Sequence, residues 1–212
     1  MRSETTPVPI GTTSLLHRRR TLVLGASMAV LLAAACSKKP PANFASTDIT
    51  GAGYAQGFSL ADHNGQRRTL QDFKGKAVAI FFGFTQCPDV CPTTLAEMSE
   101  VKTLLGADGE RLQVLLVTVD PERDKPQVLK AYTEAFDPAF LALRPTEDEL
   151  KGLASDFKVY FKKVGDSKTA YTMDHSAGTY IFDPQGRIRL YSRYGSGAKD
   201  LFTDIRQLLD GA

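Results

Sequence analysis

Tryptophan is absent from the 212 residues, and cysteine, histidine and methionine number only three, three and four. Chemistry that needs a thiol or an imidazole therefore has very few places to sit. No phosphate-binding loop, dinucleotide fingerprint or carboxylate dyad in supporting context is present, which removes the common nucleotide-dependent and two-carboxylate enzyme classes. The charge is nearly balanced, with 26 Lys and Arg against 24 Asp and Glu. Beyond residue 35 the count becomes 22 basic against 23 acidic, with no run of Lys or Arg. A nucleic-acid partner is excluded on that ground, because phosphate binding needs a basic footprint. What is there is ordinary globular composition, 42% hydrophobic and 24% charged, rather than that of a disordered chain.

The N-terminus reads as a targeting segment. His17-Arg18-Arg19-Arg20 precedes an apolar run of 14 residues, Leu22 to Ala35, short of the roughly 20 needed to span a bilayer. The run ends in Leu32-Ala33-Ala34-Ala35-Cys36, which resembles a bacterial lipobox with Ala33 where the stronger pattern has Leu. Residues 1–35 are thus expected to be a lipoprotein-type signal peptide, exported by the Sec or the twin-arginine route. The lipobox resemblance implies that Cys36 is diacylated and becomes the first residue of the mature chain, and two acyl chains anchor far more firmly than one. Residues 36–53, rich in Pro, Ala, Ser, Thr and Gly and without a sustained period, read as the lipidated cysteine and a flexible tether. The expected location is the bacterial cell envelope, on a membrane and facing the periplasm or extracytoplasmic side.

Residues 54–212 suit one domain with one core. Phe58 to Leu70 reads as two short strands around Asp62-His63-Asn64-Gly65, whose Asn-Gly pair supplies positive-φ residues for a tight hairpin. Ala77 to Phe84 and Leu112 to Val119 are continuous apolar runs expected to be strands covered on both faces. Between them Leu95, Met98, Val101 and Leu105 recur at helical spacing. Val128, Leu129, Tyr132, Ala135 and Phe136 mark a second helix, with its cap near Asp124. Thr146 and Glu149 form a capping-box signature opening a third, which carries Leu150, Leu153 and Phe157. Thr179 to Asp183 and Arg187 to Tyr191 flank the turn Pro184-Gln185-Gly186, and Leu201, Phe202, Ile205 and Leu208 define a last helix. This order predicts an α/β, thioredoxin-like fold with an added N-terminal β-hairpin.

The chemistry concentrates in Phe84-Thr85-Gln86-Cys87-Pro88-Asp89-Val90-Cys91-Pro92. The segment joins the carboxyl end of a buried strand to a helix, the edge where α/β folds place ligands. Pro92 suits the first turn of that helix, and the unpaired N–H groups there favour thiolate over thiol. In an exported domain the pair is a structural disulfide, a redox couple or a metal site. His175, in Tyr171-Thr172-Met173-Asp174-His175, would reach the same edge if Thr179 to Asp183 runs antiparallel to Ala77 to Phe84. Two thiolates and one imidazole form a soft S₂N set that favours Cu(I), with Cu(II) also accommodated and Zn(II) a competitor wanting a fourth ligand. Asp174 is a candidate carboxylate for orienting His175. His63, in a turn, has no expected metal role.

The stretches FFGFTQCPDVCPTTL, VTVDPERDKP and MDHSAGTYIFDPQGR resemble the Sco/SenC family of thioredoxin-fold copper proteins of cytochrome c oxidase assembly. The resemblance covers about residues 54–210. It implies that Cys87, Cys91 and His175 are the copper ligands. It also implies delivery of copper to the copper A centre of oxidase subunit II or to another copper-assembly protein, or reduction of that centre's cysteines. A metallochaperone is expected rather than an enzyme. The alternatives are a thiol-disulfide oxidoreductase using Cys87 and Cys91, and an envelope copper or redox sensor. Peroxiredoxin chemistry is disfavoured, because Phe84 stands three residues before Cys87 where that family carries Thr or Ser. The cis-proline position of redox-active thioredoxins falls on Gly178.

Overall fold

In the computed structural model the described residues are Thr6, 42–165 and 170–212. The signal-peptide and lipidation expectations, Cys36 included, lie outside them. The unit formed by residues 42–212 is built on a six-stranded sheet. Its strands are β1 (Thr47–Asp48), β4 (Ala77–Gly83), β5 (Leu112–Thr118), β6 (Leu141–Leu143), β9 (Thr179–Phe182) and β10 (Ile188–Ser192), in the spatial order β1-β10-β9-β4-β5-β6. β4, β5 and β6 run parallel, whereas β9 is antiparallel to β4 with Phe81 opposite Thr179. Two separate ribbons complete the strands: β2 (Ser59–Ala61) with β3 (Arg67–Thr69), and β7 (Phe161–Val164) with β8 (Thr172–His175).

Every residue of β4 and β5 is buried, as continuous Val, Ile, Leu and Phe runs require of strands covered on both faces. Alternation then divides the core. Ala79, Phe81, Val114 and Leu116 face helices α1 (Val90–Leu105), α2 (Pro126–Glu134) and α4 (Ala198–Leu209) through Leu95, Met98, Leu129, Leu201 and Ile205. Ile80, Phe82, Leu115 and Val117 face helix α3 (Glu147–Phe157) through Leu150 and Phe157, with both ribbons on that side. Fully burying a side chain such as Phe82 contributes about 1.5–3 kcal/mol. α3 starts on the expected capping box: Glu149 N–H donates to Thr146 Oγ1 at 3.3 Å and Thr146 N–H donates back to Glu149 Oε2 at 2.9 Å.

Several expectations are corrected. Residues 42–53, read as tether, lie along the domain: Thr47 and Asp48 pair with Tyr191 and Leu190, and the Ala45 and Ser46 N–H groups each donate to the Asp204 carboxylate at 2.8 Å. Polar composition hid a strand whose partners come from the far end of the chain. The β2–β3 turn uses only Gly65 at positive φ (81°), not Asn64. Asp62 organises it instead, its Oδ1 accepting from the Asn64 and Gln66 N–H groups at 2.8 and 2.9 Å. His63 is buried and stitched to β6, its Nδ1 accepting from the Ala142 N–H at 3.3 Å. The second helix stands where expected: the N-cap of α2 is Lys125, next to Asp124, and Val128 lies on its exposed side.

Candidate metal centre

Antiparallel β9 starts where β4 ends, so the chain leading into β9 reaches the mouth of the cysteine loop. Phe84 is buried, and the Cys87 N–H returns to the Phe84 carbonyl at 3.2 Å, curling the loop before α1 begins. Asp89 is the N-cap of α1 and Pro92 falls in its first turn, as expected. Cys91 is fully buried against the sheet, while Cys87 is half-buried at the rim. His175 closes β8, paired with Phe161, and its ring packs edge-on to Phe84 with centroids 5.8 Å apart. The Sγ atoms of Cys87 and Cys91 and a ring nitrogen of His175 all lie within 4.8 Å of one another.

The imidazole is set by its backbone. His175 Nδ1 lies 2.9 Å from the Ser176 carbonyl oxygen. A carbonyl only accepts, so Nδ1 is the donor in this contact, and Nε2 is the ring nitrogen turned to the sulfurs. Nε2 is 3.8 Å from Cys91 Sγ. Asp174, the expected orienting carboxylate, is exposed, and adjacent strand residues face opposite sides. The group meeting Nδ1 is thus the peptide carbonyl of the next residue, Ser176.

The two sulfurs share a proton unequally. The Cys91 S–H donates to Cys87, and the Asp89 and Cys91 N–H groups at the helix start add to it, bringing the Cys87 thiol down to about 4 despite its burial. The Cys91 N–H lies 3.5 Å from Cys87 Sγ. Holding that proton beside a thiolate, in a buried site, pushes Cys91 strongly up. Such a pair titrates as a unit, with the thiolate held on Cys87 and the proton on Cys91. Bond lengths of about 2.0–2.3 Å, as thiolates and imidazoles make to zinc, put three trigonal ligand atoms about 3.5–4.0 Å apart. The Cys91–His175 separation of 3.8 Å is already in that range, and the set fits a soft ion without a fourth protein ligand.

Behind the loop stands Asp124, fully buried. Thr118 Oγ1 donates to it at 2.5 Å and Thr85 Oγ1 at 2.6 Å, and Thr85 N–H points to both its oxygens. Burial pushes its carboxyl up against the opposing effect of these bonds. Asp124 and Thr85 tie the cysteine loop to the end of β5. Gly83, Thr85, Asp124 and Ser176 were not given a role at the site from sequence. Among them Asp124 carried a local signal, as the expected helix cap, which does not reveal its contact with Thr85. Gly178 packs under Tyr191, whose Oη lies 2.1 Å from where a β-carbon would be.

A thioredoxin-like domain with two cysteines at a strand-to-helix loop and a histidine facing them defines the class as a Cys₂His thioredoxin-fold protein. The chain belongs to the SCO1/SenC family, whose model matches residues 47–210. The SCO2-like protein of Rickettsia felis is 36% identical over 151 residues, covering 70% of this chain and 74% of that one. Bradyrhizobium japonicum ScoI, solved with copper bound, is 38% identical with a TM-score of 0.65, covering 72% of this chain and 97% of that one. Yeast Sco1, also solved with copper bound, is 34% identical with a TM-score of 0.67, covering 74% and 88%.

Proposed function

We propose that this protein is a membrane-tethered copper metallochaperone that carries one copper ion on Cys87, Cys91 and His175 and delivers it to the copper A centre of cytochrome c oxidase subunit II. The observation that carries the reading is the convergence of the two sulfurs and the imidazole within 4.8 Å. Copper is cargo here. The half-buried Cys87 and His175 leave a face from which a partner's thiolates and imidazoles displace the ligands one at a time, with no change of oxidation state. The copper-bound relatives support the choice of metal, and the donor set favours Cu(I) while admitting Cu(II). The lipobox-like Leu32-Ala33-Ala34-Ala35-Cys36 supports a lipid anchor on Cys36 and an envelope location. No helix among the described residues is long and apolar enough to cross a membrane.

The lowered Cys87 thiol favours a second reading, a thiol-disulfide oxidoreductase. Cys87 thiolate would attack a partner disulfide and release one partner thiolate. Cys91, losing its proton to solvent, would then attack the Cys87 sulfur, release the second and leave a Cys87–Cys91 disulfide. Loaded protein is mixed with a copper-free, reduced subunit II fragment, and separately the reduced protein with the oxidised fragment. Chaperone function predicts copper transfer that His175→Ala abolishes. Thiol reduction that survives His175→Ala, without copper transfer from the wild type, overturns it in favour of the second reading.

A further inference from the structure

Arg123 is none of the three ligand positions, yet it touches the segments that deliver two of them. It lies between β5 and α2 with its side chain 14% exposed. Nε donates to Asp120 Oδ2. Nη1 donates to the Gln86 side-chain oxygen at 2.9 Å and to the Tyr171 carbonyl at 2.8 Å. Gln86 adjoins Cys87, and Tyr171 immediately precedes β8, the strand that ends at His175. The guanidinium lies 3.6 Å from the centroid of the Tyr171 ring, and Tyr171 Oη donates to Asp120 Oδ1 at 2.8 Å, closing the circuit.

β7 and β8 form a two-stranded ribbon outside the main sheet, and such ribbons are marginal alone in water. At one end the Ser176 N–H donates to the Tyr160 carbonyl, and the Tyr160 N–H donates to Ser176 Oγ. At the Tyr171 end, Arg123 ties the ribbon to the cysteine loop. We propose that Arg123 is a positioning residue that locks the His175-bearing strand onto the Cys87 loop through Gln86 and Tyr171, setting His175 Nε2 against Cys91 Sγ. A planar fork that bonds edge-on while stacking face-on does both tasks, and lysine does not.

The structural part of this proposal stands without metal; only its copper readout rests on the reading given under Proposed function. The test uses the full chain, reduced and metal-free, as wild type, Arg123→Met, Arg123→Lys and Tyr171→Phe. The first readout is the nuclear Overhauser contact between the His175 ring Hε1 and the Cys91 β-protons. It is expected in the wild type, lost in Arg123→Met while the cross-strand contacts of β7 and β8 persist, and partly kept in Arg123→Lys. The second is copper: Arg123→Met lowers affinity about 10- to 100-fold, as loss of an outer-shell partner does, and weakens the nitrogen hyperfine signature of the Cu(II) form. An unchanged ring contact and hyperfine pattern in Arg123→Met overturn the proposal. If that variant does not fold, the same criteria apply to Arg123→Lys and Tyr171→Phe. Copper affinity indifferent to His175→Ala would defeat the copper reading, while the ring contact still decides the role of Arg123.

Discussion

Gly83 makes room for the sulfur of Cys91: a β-carbon at Gly83 would lie 2.6 Å from Cys91 Sγ and 3.1 Å from Leu116 Cδ1. The last residue of β4 and the first turn of α1 are therefore in direct contact, and the buried ligand sits where a side chain would be. Gly83→Ala is expected to push Cys91 off the sheet, at an overpacking cost of about 1–3 kcal/mol. Urea unfolding checks the cost. Copper affinity should fall in parallel, and a variant with unaltered affinity would mean that the sulfur position is not set by this contact.

The unequal thiols predict a pH profile for alkylation. With Cys87 down at about 4, its thiolate is fully formed at neutral pH, and the rate of iodoacetamide labelling should stay level as pH falls to about 5 before dropping. Cys91, pushed up and buried, should label negligibly over the same range. An ordinary free thiol titrates near about 8.5, so a rate that drops tenfold per unit below pH 8 would contradict the assignment. Mass spectrometry after partial labelling identifies which cysteine reacts.

His63 carries a stability prediction remote from the metal. Burial lowers its pKa, so the folded state favours the neutral ring that accepts from the Ala142 N–H. The stabilisation is fully present above the unfolded value of about 6.5 and is lost as pH falls through the lowered folded value. Unfolding free energy should therefore decline below that unfolded value, and His63→Ala should flatten the decline. It should also lower stability at neutral pH by about 1–3 kcal/mol, the cost of stranding a buried N–H. Its copper affinity should match the wild type.

How much of this was legible in the sequence depended on the range of the signal. The apolar runs Ala77 to Phe84 and Leu112 to Val119 declare buried strands, and Thr146 with Glu149 declares a helix start, because each pattern is local and strong. Cys87 and Cys91 were legible for the same reason, and His175 through the direction of one strand. The β7–β8 ribbon was not anticipated, since Phe161–Val164 includes two exposed lysines and its pairing carries no alternation. β1 and β6 are two and three residues long, too short for periodicity. Asp174 was a reasonable guess from adjacency, but the strand turns it away and a peptide carbonyl takes its place. Arg123 and Asp124 act through partners about 40 residues away, which spacing does not reveal.

The central claim is that two sulfurs and one imidazole hold a single copper ion. Its most direct test is titration of the reduced protein with Cu(I) against a competing chelator, for the wild type and the Cys87→Ser, His175→Ala and Asp174→Asn variants. The account predicts one ion per chain, affinity lowered at least about tenfold in the two ligand variants, and little change in Asp174→Asn, whose carboxylate lies outside the site. Tight binding indifferent to His175, or a stoichiometry other than one, would contradict it.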